Sequence, residues 1–258
     1  MKHIAIVTGA SSGLGREFVL RLDRGEMGPL DEIWVVARRA ERLEALERTC
    51  ATAIRGFCLD LTQSDSFDAI EHALQERDDV NVALLINNAG FGSFGDFAHQ
   101  DANASRGMMQ LLMQAPVELI YRSLPFMHEG SRIINIASVA AFVPQPRLAV
   151  YSAAKRFILE LSRSLDAELR EVGIHVTAVC PKFMKTEFLD APGDDEAARA
   201  MTIIGFERIA DVAHAALKAS RTGKSLCIPA LDMKALYAIS RIAPYELALK
   251  IERALGVF

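Results

Sequence analysis

Three side chains have the types and spacing for proton chemistry. Tyr151 and Lys155 stand four residues apart in Tyr151-Ser152-Ala153-Ala154-Lys155, within a segment of strong helical period. They therefore share one helix face, one turn apart. A free phenol titrates near pH 10, too high for a base at neutral pH. An ammonium one turn away favours the phenolate and is expected to lower that pKa, which makes the pair a general acid/base. Ser138 precedes them, just after an apolar run over residues 133–136. Strand C-terminal ends line the ligand crevice of an open parallel sheet. A Tyr/Lys pair at this spacing is more often a surface or packing feature, so the elements around it must decide.

Those elements begin with a glycine loop. Thr8-Gly9-Ala10-Ser11-Ser12-Gly13-Leu14-Gly15 follows the first strand and leads into a helix near Arg16. Such a turn aims backbone N–H groups and a helix N-terminus at a pyrophosphate. Gly9 allows the turn, Gly13 lets the backbone approach the phosphates, and Gly15 lets helix and strand pack closely. The spacing is G-x3-G-x-G, not the commoner G-x-G-x-x-G. The second strand ends Val35-Val36-Ala37-Arg38-Arg39. A carboxylate there would accept from the ribose 2′-OH of NAD. Two guanidiniums stand there instead, and guanidinium suits a phosphate. Arg38 is expected on the 2′-phosphate of NADP(H). Arg39 either joins it or solvates the start of the next helix.

Apolar runs over residues 4–7, 33–36, 82–86, 133–136 and 174–179 read as buried strands, with weaker candidates at 55–59 and 225–228. Helical period covers 16–24, 40–49, 64–76, 104–127, 149–171 and 207–220. The alternation implies an α/β fold, a doubly wound parallel sheet of about seven strands with helices on both faces. The 258 residues are read as a single dinucleotide-binding domain without internal repeats. A net charge of −4 offers no basic footprint for nucleic acid. Cys50, Cys58, Cys180 and Cys227 are far apart, with no CxxC pair. With no signal peptide or spanning segment, this fits a reducing, cytoplasmic setting. The six histidines have no ligand spacing, and no metal is assigned.

Four motifs in order give the chain a resemblance to the short-chain dehydrogenase/reductase family over nearly its whole length. They are the glycine loop, Asn87-Asn88-Ala89-Gly90, Ser138, and Tyr151 with Lys155. The resemblance implies a doubly wound, Rossmann-type NADP(H) oxidoreductase that interconverts a carbonyl and a secondary alcohol. Ser138 would hold the substrate oxygen and Tyr151 would pass the proton. Lys155 would also bind the nicotinamide ribose. Cofactor contacts would come from Gly9, Ser11, Ser12, Gly13, Leu14 and Gly15. They would also come from Asp60 and Leu61 at the adenine, and from Asn88, Ala89, Gly90, Pro181, Met184 and Thr186. Homodimers or homotetramers are usual in the family, and a small-molecule carbonyl or alcohol is the expected partner.

Two positions depart from the family pattern. Lys182 follows Pro181 where a glycine is usual, and Leu112 occupies the place of a fourth-helix asparagine. The asparagine's main-chain carbonyl would hold a proton-relay water. Pro116 lacks the N–H that the Leu112 carbonyl would bond in a helix, so an interrupted ladder is expected there. The alternative is a catalytically weak NADP-binding or sensing protein of the same fold. Phe91, Phe94, Phe97, Phe142 and Val143 are candidate pocket walls or core, and favour an apolar ketone. Residues 183–206, with a Gly/Asp/Pro-rich stretch at 190–200, read as a substrate loop. Residues 231–258 read as an amphipathic helical extension split by Pro244, with Leu247, Ile251 and Leu255 on one face. Such a tail packs on its own domain or a partner subunit, or touches a membrane surface.

Overall fold

A computed structural model describes residues 1–189 and 204–254. Seven parallel strands form one sheet: β1 (Lys2–Thr8), β2 (Glu32–Ala37), β3 (Ala53–Cys58), β4 (Val80–Asn87), β5 (Arg132–Ile136), β6 (His175–Val179) and, numbered in chain order, β9 (Leu226–Cys227). Their order is β3-β2-β1-β4-β5-β6-β9. The chain winds outward from β1 to β3, then returns to place β4 on the other side of β1. The crevice beyond the C-terminal ends of β1 and β4 is thus the topological switch point, where such sheets bind ligands. A two-residue parallel pair, β7 (Phe183–Met184) and β8 (Phe206–Glu207), lies outside the sheet. Strands this short leave no periodic signal, and the sequence did not announce them.

Side chains alternate across the sheet as the pleat requires. Ala5 and Val7 join one apolar layer with α1 (Gly13–Asp23), α2 (Ala40–Thr49) and α7 (Ile209–Arg221). Ile4 and Ile6 join the opposite layer with α3 (Asp65–Gln75) and α5 (Ala115–Ser123). Phe18, Trp34, Ile4 and Ile6 are among the largest fully buried side chains. Burying such a group contributes about 1.5–3 kcal/mol.

The helix expected at 104–127 is divided. α4 (Ala102–Met109) passes into a π-helical turn, Gln110–Gln114, before α5 begins with Pro116 in its first turn. The Ala115 N–H reaches back to the Gln110 carbonyl. The missing amide of Pro116 interrupts the α-ladder, and a wider turn takes up the slack.

α6 (Ala149–Leu169) crosses β5 and β6. A buried amide relay holds it in place: Asn87 Nδ2 donates to Asn135 Oδ1 at 2.8 Å, and Asn135 Nδ2 donates to Ser162 Oγ at 2.9 Å. Unsatisfied, these buried groups would each cost about 1–3 kcal/mol, so α6 has one favoured seat. The tail forms α8 (Leu231–Ser240) and α9 (Tyr245–Ala254). α8 packs on its own chain through Met233, Leu236 and Tyr237, beside Phe142 and Ile158. Leu247 is exposed. The Ile251 side chain, Leu255 and the stretch 190–200 lie outside the described residues. No helix among the described residues is long and apolar enough to cross a membrane.

Candidate active site

The ends of β1 and β4 are pinned together by Thr8. Its Oγ1 donates to the Ile86 carbonyl and accepts from the Asn88 and Ala89 N–H groups at 2.9 and 3.0 Å. Asn88 Nδ2 donates to the Thr8 and Gly9 carbonyls. The motif at 87–90 therefore shapes the glycine loop as well as walling the crevice. Gly9 has φ +67°, and a Cβ there would lie 2.8 Å from Asn88 Nδ2. Gly13 has φ +51°, with Thr186 Cγ2 against it. Ser12 occupies the N-cap of α1 without a side-chain cap bond, and no acidic residue stands in the first turn. The uncapped N–H groups form a positive pole suited to phosphate.

This crevice opens into a cavity of about 720 Å³, within the roughly 300–1,000 Å³ usual for small-molecule sites. Every residue expected at the cofactor or in catalysis lines it except Gly15. Gly15 lies buried behind the loop, where a Cβ would come within 2.2 Å of the Gly9 carbonyl oxygen. Its contribution is close packing, not contact. Arg38 is exposed on the rim, and Arg39 is partly buried beside it. The Asp60 carboxylate caps its own turn through Thr62.

Tyr151 and Lys155 lie one turn apart near the start of α6. Lys155 Nζ donates to the Ile136 carbonyl at 2.7 Å and sits 5.6 Å from the Tyr151 ring. Tyr151 also hydrogen-bonds the Ser138 side chain. Ser138 N-caps the turn Val139–Ala141, and its Oγ accepts from the Ala140 N–H. The three side chains thus meet as expected, but the sign of the tyrosine shift does not follow. Burial pushes the Tyr151 phenol up to about 12, against the lowering from Ser138. Burial also brings Lys155 down to about 8. Spacing announced the ammonium but not the desolvation, which dominates here.

The α6 N-terminus is fixed from the side. Arg147 has φ +63°, left-handed for a non-glycine residue. Its carbonyl accepts from the Gly95 N–H at 2.9 Å, tying α6 to the segment after β4. Leu112 packs on Gly90, its Cδ2 2.7 Å from where a Cβ would sit. It fills apolar space beside Tyr151. Phe91, Phe94, Phe142 and Val143 wall the cavity, whereas Phe97 is exposed and does not.

Several contributors were not legible in the sequence. Phe188 packs on Tyr151 in a tilted pair, with ring centroids 5.6 Å apart. Met233, Leu236 and Ile239 bring α8 to the cavity wall. Lys182 binds it there: Nζ pairs with Asp232 at 2.8 Å and donates to the Ile204 carbonyl, while the Lys182 N–H donates to Glu207. The side chain that replaces the family glycine is a tether between the sheet and the C-terminal helix.

A dinucleotide crevice at a parallel-sheet switch point, joined to a Ser/Tyr/Lys cluster, defines a nicotinamide-type oxidoreductase architecture. The sequence model of the short chain dehydrogenase family matches residues 3–197. A sulfoacetaldehyde reductase of Chromohalobacter salexigens is 32% identical over 223 residues, 82% of this chain and 86% of that protein. A short-chain dehydrogenase from Sphingobium yanoikuyae, solved in complex with NADPH, is 30% identical with a TM-score of 0.77, covering 92% of this chain and 93% of that one. The bulky-bulky ketone specific alcohol dehydrogenase from Comamonas testosteroni is 28% identical with a TM-score of 0.73, covering 94% and 95%. The chain belongs to the short-chain dehydrogenase family, oxidoreductases of alcohols and carbonyls.

Proposed function

We propose that the protein interconverts an apolar ketone and its secondary alcohol with NADP(H). The observation that carries this is a single cavity holding the glycine loop and arginines at one end and apolar walls at the other, with Ser138, Tyr151 and Lys155 between them. The residues fit the cofactor: the loop is a cradle that a Cβ at Gly9 would fill, backed by an uncapped helix N-terminus. The bound nicotinamide supplies the hydride. Ser138 orients the substrate oxygen, Tyr151 gives or takes its proton, and Lys155 holds the ribose and stabilises the phenolate. The Leu112 carbonyl, beside the proline-interrupted ladder, holds the relay water. The Sphingobium protein, similar along most of this chain and solved in complex with NADPH, supports the cofactor choice.

The substrate follows from the walls. Lys182 is committed to Asp232 and Lys155 to the Ile136 carbonyl, while Phe91, Phe94, Phe142, Met233 and Leu236 face the cavity. A bulky uncharged ketone, as in the name of the Comamonas enzyme, suits this better than the small anionic aldehyde named for the Chromohalobacter relative. NADPH consumption over a panel of aryl-alkyl ketones, with sulfoacetaldehyde as comparison, tests the reading. Faster turnover of the anion would refute the substrate class. Tight NADPH binding with no turnover would point to a sensing protein.

Three further expectations arise here. Arg38→Asp should weaken NADPH about tenfold or more and NADH little, since a guanidinium on a phosphate is a strong charge-assisted contact. Equal losses would remove Arg38 from the 2′-phosphate. A phenol held up to about 12 stays protonated at neutral pH, ready as the acid of reduction. Oxidation needs its conjugate base, so its rate should climb as pH rises toward about 8 and level off as Lys155 loses the charge that stabilises the phenolate. Reduction should stay level, then decline as Lys155 loses its proton near pH 8. An oxidation rate independent of pH would exclude Tyr151 as the base. Met109, Tyr121 and Phe157 are exposed on α4, α5 and α6, apolar side chains available to a second copy of this chain. Light scattering at micromolar concentration should give at least a dimer mass, and a monomer mass would refute it.

A further inference from the structure

Beside the glycine loop lies a cluster in which Arg42 and Glu187 have no part in the chemistry described so far. Arg39 Nη2 donates to Ser11 Oγ at 2.9 Å and Ser12 Oγ at 3.1 Å, and pairs with Glu187 Oε2 at 2.8 Å. Arg42, in the first turn of α2, donates Nη1 to Glu187 Oε1 at 2.6 Å. One carboxylate therefore offers its two oxygens to two guanidiniums and also meets the Ser12 hydroxyl. Guanidinium forks bind carboxylate and phosphate with the same planar geometry. Glu187 comes from the segment after β7, far from both arginines in the chain. Arg39, Ser11, Ser12 and Glu187 all line the cavity. The bonds from Arg39 and then Arg42 hold the Glu187 carboxyl down to about 2, so it is an anion throughout the working pH range.

The corner where the second strand ends and the loop begins is also the seat expected for an adenosine 2′-phosphate. One seat then faces two anions. We propose that Glu187 is a specificity-determining residue that competes with the 2′-phosphate for Arg39 and Arg42, and so sets how strongly the pocket prefers NADP(H) to NAD(H). The inference rests on the NADP(H) reading given above. A phosphate monoester carries about −1.5 to −2 charges at neutral pH and three acceptor oxygens, so it outbids a carboxylate for the same forks. A cofactor with a 2′-hydroxyl cannot, and leaves the pairs in place. Glu187 is half-exposed, with 43% of its side chain open to solvent, so it can turn outward without unpacking the core.

Calorimetric titration of the full chain with adenosine 2′,5′-bisphosphate and 5′-AMP isolates this corner from catalysis. The wild type should bind the bisphosphate at least about tenfold tighter than AMP, through its extra charge-assisted contacts. Glu187→Gln should strengthen the bisphosphate about fivefold, the scale of two exposed ion pairs released from competition. AMP should change by less than about twofold, since it never meets the seat. An unchanged melting midpoint would show that the variant is folded. Bisphosphate affinity unchanged or weakened in Glu187→Gln would overturn the proposal, because the carboxylate would then be idle or would be orienting the arginines. Arg39→Ala separates the two layers of the argument. If the wild type shows no preference for the bisphosphate and Arg39→Ala alters nothing, the NADP(H) reading fails. If the preference is present and Arg39→Ala removes it while Glu187→Gln has no effect, only the competition fails.

Discussion

Tyr151→Phe should lower turnover by about 10²–10⁴-fold, the usual contribution of a positioned acid or base, while NADPH affinity stays within about twofold. The ring is packed on its own account: it forms a tilted pair with Phe188 and lies in the cluster of Met108, Leu112 and Ala154. Removing the hydroxyl leaves that packing intact and deletes only the atom that bonds Ser138. A melting midpoint close to wild type would confirm that the fold is unharmed. Lys155→Ala should behave differently and damage both turnover and cofactor affinity. Its ammonium is proposed to act on both, and its loss leaves the Ile136 carbonyl without its donor. Tyr151→Phe retaining more than about a hundredth of wild-type turnover would remove the tyrosine from the proton path.

Gly15→Ala should be nearly as damaging, and by a different route. Alanine normally favours a helix over glycine by about 0.5–1 kcal/mol. Here the added methyl would lie 2.2 Å from the Gly9 oxygen and 2.6 Å from Asn88 Nδ2. Neither can yield cheaply, because the Gly9 N–H is bonded to the Val36 carbonyl and Asn88 is bonded to Thr8. Overpacking of this kind costs about 1–3 kcal/mol, or a fall of roughly 2–12 °C in melting midpoint for a chain of this size. The loop must also shift by a fraction of an ångström away from its phosphate-binding shape. Misplacement of about 1 Å can cost about 100-fold in the rate of a positioned reaction, so NADPH-dependent turnover should fall by up to that factor and NADPH binding should weaken. Gly56→Ala is the control: its methyl would meet only Leu43 at 3.4 Å, on β3. If both variants bound NADPH equally well, the close approach of helix and loop would not matter to the cofactor.

The sheet was legible in the sequence because each central strand is a mostly apolar run rich in Val and Ile, buried on both faces. α6 was legible because its apolar period runs unbroken past Tyr151 and Lys155. The π-turn at 110–114 was announced only indirectly, by a proline whose missing amide had to be accommodated somewhere. What stayed hidden depends on distance in the chain or on burial. Arg42 and Glu187 meet across 145 residues, and no local pattern connects them. Lys182 looked like an intrusion into a glycine position until Asp232 and Ile204 appeared around it. The upward shift of Tyr151 is a property of its walls, and no spacing of tyrosine and lysine carries that information.

The attachment of α8 bears on how such a protein changes over time. None of its residues is buried. It is held by the Lys182–Asp232 pair, by the stacking of Tyr237 on Phe142 at 4.9 Å, and by a few apolar contacts. Yet it supplies Met233, Leu236 and Ile239 to the cavity wall. The groups proposed to handle the proton stand instead just after β5 and on α6, which the buried Asn87–Asn135–Ser162 relay ties to the sheet. The pocket wall and the proposed proton machinery thus sit in stretches of chain under unequal packing constraint. Substitutions on the cavity side of α8 can redraw the pocket at little cost to folding, whereas comparable changes around Tyr151 disturb the core. Descendants of this sequence can therefore explore new substrates by drift in one peripheral helix while the site around Tyr151 stays constant.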